Sequence, residues 1–187
     1  MPKRNQVRIV GGRWRNRLIR FVASAQLRPT PDSVRETLFN WLGQTLDERS
    51  CLDLFAGSGA LGFEAASRGA ADIVMVESNR DTHAALARTA QMLDADNVEI
   101  LCKDAFAFLA ADRRVFDIIF LDPPFQLERL PELLGMLRRH LAPAGLVYIE
   151  AARIPEMPPD CVITRRSKVG QVNFLLLEFS NHDSAIQ

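Results

Sequence analysis

Asp122-Pro123-Pro124-Phe125 close an apolar run, FDIIFLDPPF over residues 116–125. Proline lacks the N–H that a sheet ladder needs, so the buried strand must stop there. An acid, a rigid backbone and an aromatic ring are thereby delivered together to the tip of one strand. That set suits an exocyclic NH₂ as reaction partner. Such a nitrogen is a poor nucleophile because its lone pair is delocalised into the ring. Hydrogen bonds from the NH₂ to the Asp122 carboxylate and to a backbone carbonyl fixed by the prolines draw the nitrogen towards sp³ character. Its lone pair then points at an incoming methyl group. The prolines set the carbonyl direction before the reaction begins, which is preorganisation. Phe125 offers a face on which a flipped or unpaired base stacks. An Asp-Pro turn at a strand end would explain the first two residues alone, but not the full motif beside the acids described next.

A second constellation lies upstream. The segment LDLFAGSGALGFEA places Gly57, Gly59 and Gly62 as G-x-G-x-x-G after a strand, with Glu77 20 residues past Gly57. This spacing alone fits a dinucleotide site, the acid holding a ribose hydroxyl. Asp53, four residues before Gly57, argues against NAD. A carboxylate beside the loop is unfavourable next to a pyrophosphate and favourable next to a cationic amino-acid headgroup. S-adenosylmethionine carries an α-ammonium and a sulfonium and no phosphate, so it fits better. Asp104, after a third strand, supplies another acid at the same edge, as acceptor for an adenine amino group or as a helix N-cap. Asp53 can equally pair with a loop N–H.

These residues need a scaffold that brings several strand ends to one edge. From residue 50 the chain alternates: strands over 50–55, 72–77, 97–101, 115–121 and 145–150, with helices over about 59–69, 79–94, 104–111 and 127–140. Near-continuous apolar strands mark a parallel sheet covered on both faces, and the alternation gives a doubly wound α/β fold. Residues 161–170 and 171–180 read as two strands with no helix between, an antiparallel C-terminal hairpin. The last seven residues, 181–187, read as frayed. Upstream, 6–10 and 17–22 form a small hairpin around Gly11-Gly12 and Asn16. A helix follows, with Thr30 as cap, Pro31 in its first turn and a capping box from Ser33 and Glu36. Val34, Leu38, Trp41, Leu42 and Leu46 form its apolar stripe. The expected organisation is a basic arm over 1–30 and a catalytic domain over 31–187.

The 187 residues carry 23 basic and 23 acidic side chains, but unevenly. Residues 1–28 hold eight Lys/Arg and no acid, leaving 15 basic against 23 acidic groups in the rest. Such a split points to an anionic partner, nucleic acid first and an anionic membrane second, with a solvated arm as the plain alternative. Trp14 between Arg13 and Arg15 either stacks on a base or packs the arm onto the body. No apolar run approaches a membrane span, and the N-terminus has no signal-peptide core. Three scattered cysteines suit neither a disulfide framework nor a zinc cluster; each is expected in or beside a buried strand, in a cytoplasmic protein. No metal is expected. His83, His140 and His182 are expected at the surface, without a catalytic part.

The chain resembles class I methyltransferases of the amino-group type, whose fourth-strand signature is matched by Asp122–Phe125. VRIVGGRWRNRLIRF, LRPTPDSVRETLFNWL, CLDLFAGSGALGFEAASRGA, VMVESN and IIFLDPPF together resemble the bacterial RsmD family over about residues 7–180. That family methylates N2 of one guanine in 16S rRNA of the 30S subunit. The resemblance implies a Rossmann-like seven-stranded sheet and S-adenosylmethionine as cofactor. Asp53, Phe55, Ala56, Gly57, Ser58, Gly59, Glu77, Ser78, Asp104 and Ala105 would contact the cofactor. Asp122, Pro123, Pro124 and Phe125 would hold the guanine amine. Arg8, Arg13, Trp14, Arg15, Arg17 and Arg28 would face RNA. The motif itself leaves adenine N6 in DNA or a protein glutamine open as acceptor. A non-catalytic rRNA-binding assembly factor is the remaining alternative.

Overall fold

The computed structural model describes residues 5–22, 29–123 and 129–180. β1 (Gln6–Arg8) and β2 (Leu18–Arg20) pair antiparallel, Gln6 opposite Arg20. This is the expected hairpin, shorter at both ends. α1 (Asp32–Leu42) leads into the main sheet. Its strands are β3 (Ser50–Asp53), β4 (Asp72–Glu77), β5 (Val98–Cys102), β6 (Phe116–Leu121), β7 (Leu141–Ala151), β8 (Cys161–Val169) and β9 (Val172–Phe179). They stand in the order β5-β4-β3-β6-β7-β9-β8. β3 to β7 are parallel, and β9 runs antiparallel between β7 and β8. The helices between them are α2 (Ala60–Ser67), α3 (Arg80–Met92), α4 (Ala105–Ala111) and α5 (Leu130–Leu137).

The chain winds outward from β3 through β4 to β5, then returns to β6 on the other side of β3. That reversal opens a crevice at the carboxyl ends of β3 and β6, where open α/β sheets bind ligands. One face of the sheet is covered by α1, α2, α3 and the arm, through Val7, Ile9, Trp14, Ile19, Val34, Leu38, Phe39, Leu61, Phe63 and Leu86. The other face is covered by α4 and α5, through Phe108, Leu109, Leu130, Leu133, Leu134 and Leu137. Burial on both faces explains the uninterrupted apolar strands. Each fully buried large side chain contributes about 1.5–3 kcal/mol relative to exposure.

Several expectations are corrected. Trp14 is only 8% exposed and belongs to the core. Its backbone N–H donates to Ser67 Oγ at 2.9 Å, and the Arg13 guanidinium lies 4.1 Å from its ring centroid. Packing, not base stacking, is its part. The cap of α1 is Pro31, with no side-chain capping bond. Ser33 and Glu36 therefore form no capping box, and Thr30 faces the crevice instead. The helix ends at Gly43, so buried Leu46 belongs to the following loop. α5 has about two turns and is shorter than expected, followed by a 3₁₀ turn at Arg138–His140. His140 is buried, not superficial: its ring nitrogens lie 3.0 Å from the Arg114 and Leu109 carbonyls and it stacks on Phe108. Of the cysteines, all three lie in strands, but Cys102 at the end of β5 is exposed.

The arm is tied down by one buried charge. Glu64 on α2 is fully buried. Its carboxylate accepts from Arg35 Nη1 at 3.0 Å, Arg68 Nε at 2.9 Å and the Val10 backbone N–H at 2.8 Å. Arg35, itself fully buried, also donates to the Arg8 carbonyl at 2.7 Å, the Thr30 carbonyl at 3.2 Å and Asp32 at 2.6 Å. Removing one partner of such a network strands the other charge, at a cost of about 3–5 kcal/mol. Glu64→Ala is expected to lower unfolding stability by that amount, read from the urea midpoint at constant slope. Substitution of the solvated Glu36 serves as the control and leaves the midpoint within about 0.5 kcal/mol.

Candidate active site

A crevice of about 410 Å³ opens over the carboxyl ends of β3, β4, β5 and β6. Asp53, Glu77, Asp104 and Asp122 contribute to its walls, with Lys103 as the one cation among its described lining residues. Phe55, Ala56, Gly57, Ser58, Ser78, Ala105 and Pro123 line it as well. The sequence thus predicts most of this wall correctly. Gly59 is not in the lining; its φ of 76° caps α2, and a Cβ there would lie 2.6 Å from Phe63 and 2.7 Å from Leu86. Its part is to turn the strand into the helix. Gly62 lets α2 approach the sheet, since a Cβ would meet Met75 at 2.2 Å. Pro124, Phe125, Arg28 and His182, all singled out from the sequence, lie outside the described residues.

Each acid is held by local backbone. Asp53, 2% exposed at the end of β3, accepts the Gly62 N–H at 3.0 Å. Glu77 at the end of β4 accepts the Gly57 N–H at 3.0 Å and the Asn79 N–H at 2.7 Å. Glu77 therefore braces the glycine loop from the neighbouring strand. Asp104 caps α4 through the Ala107 N–H at 3.0 Å while lining the crevice. Asn79, capping α3 through the Asp81 and Thr82 N–H groups at 2.9 and 3.0 Å, lines it too and was not anticipated.

A further acid stands behind Asp122. Glu150, near the end of β7, accepts from Thr30 Oγ1 at 2.7 Å and from the Tyr148 hydroxyl at 3.0 Å. Burial, with Glu150 and then Asp53 nearby, holds Asp122 well above the ordinary carboxylate range. Burial likewise raises Glu150, opposed by Thr30 and Tyr148. The Thr30 hydroxyl has one proton to donate, and it goes to Glu150. The sequence signal for this acid was the alternation in VYIE, which puts Tyr148 and Glu150 on one face of a strand ending at the ligand edge.

The donor set decides what fits. Four carboxylates and one lysine disfavour a diphosphate and favour a ligand with a cationic headgroup and ribose hydroxyls. Carboxylates can accept from both, beyond the backbone bonds they already hold. Among the described residues no group of His, Cys, Asp and Glu is arranged to hold a metal, and no helix is long and apolar enough to cross a membrane.

The fold and crevice define a class I methyltransferase architecture: five parallel strands, a returning antiparallel pair, and an acid-flanked glycine loop at the switch point. A solved structure of a putative methyltransferase from Escherichia coli superposes with a TM-score of 0.85 at 40% identity, covering 93% of this chain and 98% of that one. A putative methylase from Haemophilus influenzae superposes at 0.77 with 33% identity, covering 92% and 97%. A family described as Conserved hypothetical protein 95 matches residues 7–178, and the chain belongs to it. A protein of Escherichia coli K12 named ribosomal RNA small subunit methyltransferase D is 40% identical over 178 residues, 92% of this chain and 90% of that protein. The family resemblance drawn from the sequence is borne out.

Asp53 gives the crevice a testable titration. Burial first, and Glu77 to a smaller degree, push its pKa from 3.8 up to about 7 against the Gly62 N–H bond. A raised carboxyl stabilises the fold most below its unfolded pKa, and that contribution is lost as pH rises through the folded value. Between pH 4 and pH 7 wild type should therefore lose stability relative to Asp53→Asn, by on the order of 4 kcal/mol. Urea midpoints of both proteins across that range check it; a constant difference would refute the assignment.

Proposed function

We propose that the chain transfers a methyl group from S-adenosylmethionine to the exocyclic N2 amine of a guanine in 16S rRNA. The observation that carries this reading is Asp122, half-buried just past the end of β6 with Pro123 following, on the wall of an acid-lined crevice. Asp53, Glu77 and Asp104, with the Phe55–Ser58 turn, would hold the cofactor, which when bound supplies an electrophilic methyl group. The rRNA substrate is supported by the name of the Escherichia coli relative. The choice of guanine N2, and of the 30S subunit as the form presented, rests on the family resemblance and the amine chemistry of the motif.

The chain's own part is orientation and proton handling. Asp122 accepts one N–H of the amine; a carbonyl in the Asp122–Pro124 segment accepts the other. As nitrogen gains a methyl group it becomes a strong acid, and its surplus proton needs a nearby acceptor. A carboxylate whose basicity is raised by burial and by Glu150 is better suited to take it than an ordinary aspartate. Glu150 acts through Asp122: Thr30 and Tyr148 fix its position, and its charge sets how tightly Asp122 keeps a proton.

Asp122→Ala is expected to abolish methyl transfer while leaving the fold and cofactor binding intact, measured with labelled S-adenosylmethionine and 30S subunits, followed by nucleoside analysis. Near-normal turnover would remove Asp122 from the mechanism. The rate should rise with pH as the Asp122–Glu150 pair loses its proton. Glu150→Gln keeps the Thr30 and Tyr148 contacts but deletes the charge that raises Asp122. Asp53 and Tyr148 face the pair unchanged in that variant, so the rising limb of kcat against pH should move to lower pH.

A further inference from the structure

Two exposed cations of the arm, Arg13 and Arg15, are not next to the reaction centre. α2 begins at the crevice with Ala60 and Leu61 and ends at Ser67, about 12 Å further down. The Arg13 backbone N–H donates to the Ser67 carbonyl at 2.7 Å, and the Arg13 guanidinium reaches Asn97 just before β5 at 3.3 Å. The loop holding Arg13 and Arg15 is therefore at the amino edge of the sheet, opposite the crevice. Arg8, nearer the crevice, is paired with Asp32 at 2.8 Å.

A different basic group stands at the carboxyl edge. In β8 a bulge after Ile163 turns the strand from its core-packed start to the exposed run Arg165, Arg166, Lys168. The register fixes where these residues lie. Leu121 pairs Ile149, Ile149 pairs Leu175, and Leu175 pairs Arg166. Arg166 is thus three interstrand spacings, about 14 Å, from the residue preceding Asp122. Lys168 pairs Asn173, which pairs Ala151 immediately after Glu150. Asn173 pins this corner by donating to the Ala151 and Ala152 carbonyls at 3.4 and 3.1 Å. Arg153, exposed, follows at the same edge. Among the described residues none of Arg153, Arg165, Arg166 and Lys168 forms an ion pair. Their polar contacts are Arg165 to the Thr164 carbonyl at 2.9 Å and Arg166 to Asn173 at 3.4 Å.

We infer that the carboxyl end of the β8–β9 hairpin, through Arg166 and Lys168 with Arg153, is an RNA phosphate-binding surface flanking the target base. The inference rests on the rRNA reading above and deepens it. The chain carries no net charge, and the walls of its crevice are acidic. An RNA strand entering it needs fixed cations beside the acids, and these are at the right edge and without acidic partners. Charged residues on an edge strand also guard against strand pairing with other molecules, so the test must separate the two roles.

Arg166→Glu/Lys168→Glu keeps the edge charged while reversing its sign. Binding to 16S rRNA is measured against KCl concentration, with S-adenosylmethionine binding and light scattering run alongside. The expected result is a soluble protein in the same assembly state as wild type, with unaltered cofactor binding, weaker RNA binding, and a log–log salt slope smaller by about 1.4–1.8, the loss of two phosphate contacts. Arg13→Glu/Arg15→Glu should change the slope less. Wild-type RNA binding with an unchanged slope in the hairpin variant overturns this surface alone. Absence of salt-dependent RNA binding by the wild type overturns both the surface and the rRNA reading.

Discussion

The Glu64 carboxylate, sealed between Arg35, Arg68 and the Val10 N–H, is the constraint through which the arm, α1 and α2 hold one arrangement. A carboxylate taken out of water is tolerated only when its lone pairs are filled, and here two helices and the end of the hairpin fill them. Arg35 carries that constraint onward, because its Nε donates to the Thr30 carbonyl. Thr30 is consequently fixed, and its hydroxyl in turn donates to buried Glu150 behind the crevice. A charge on the far side of α2 thereby sets the hydrogen-bond state of the reacting edge. Hydrophobic contacts of Ile9, Ile19 and Trp14 add area, but they are non-directional and could not by themselves aim Thr30.

The alternation of strands and helices from residue 50 was legible because each strand is buried on both faces, so its apolar run is unbroken and its boundaries are marked by acids and glycines. The same applies to most of the crevice wall. Asp53, Glu77, Asp104 and Asp122 each stand at or just after a strand's carboxyl end, and topology places all such ends on one edge. Less was legible in the arm. Trp14 between two arginines leaves base stacking and packing of the arm both open, because the partner that fixes it, Ser67, is 53 residues away. Arg35 and Glu64, 29 residues apart, draw no notice in the sequence, where nothing shows that they meet. Thr30 reads as a helix cap, but a partner 120 residues away, Glu150, claims its hydroxyl.

Acids concentrate at the crevice because the ligand they favour is cationic, and this creates an opposing demand. A polyanion brought to the same edge meets Asp53, Asp122 and Glu150. Two features of the chain limit the repulsion. Asp53, buried and raised to about 7, carries less than full charge near neutral pH, and burial shifts Asp122 and Glu150 in the same direction. The cations, conversely, are exposed and set off laterally, on the β8 edge and beyond.

This separation has a geometric logic in the sheet itself. Inserting β9 antiparallel between β7 and β8 returns the chain to the ligand edge at the β8–β9 turn. β8 itself runs parallel to β7, so its carboxyl end and the turn into β9 both lie at the ligand edge. The antiparallel pair therefore extends the ligand edge sideways by two strands, about 10 Å. That is far enough for cations at the turn not to neutralise Asp122 through the solvent, where the Debye length at physiological salt is about 8 Å. The reaction centre keeps its raised carboxyls, and the surface that would meet phosphate keeps its charge, because the sheet holds them on different strands.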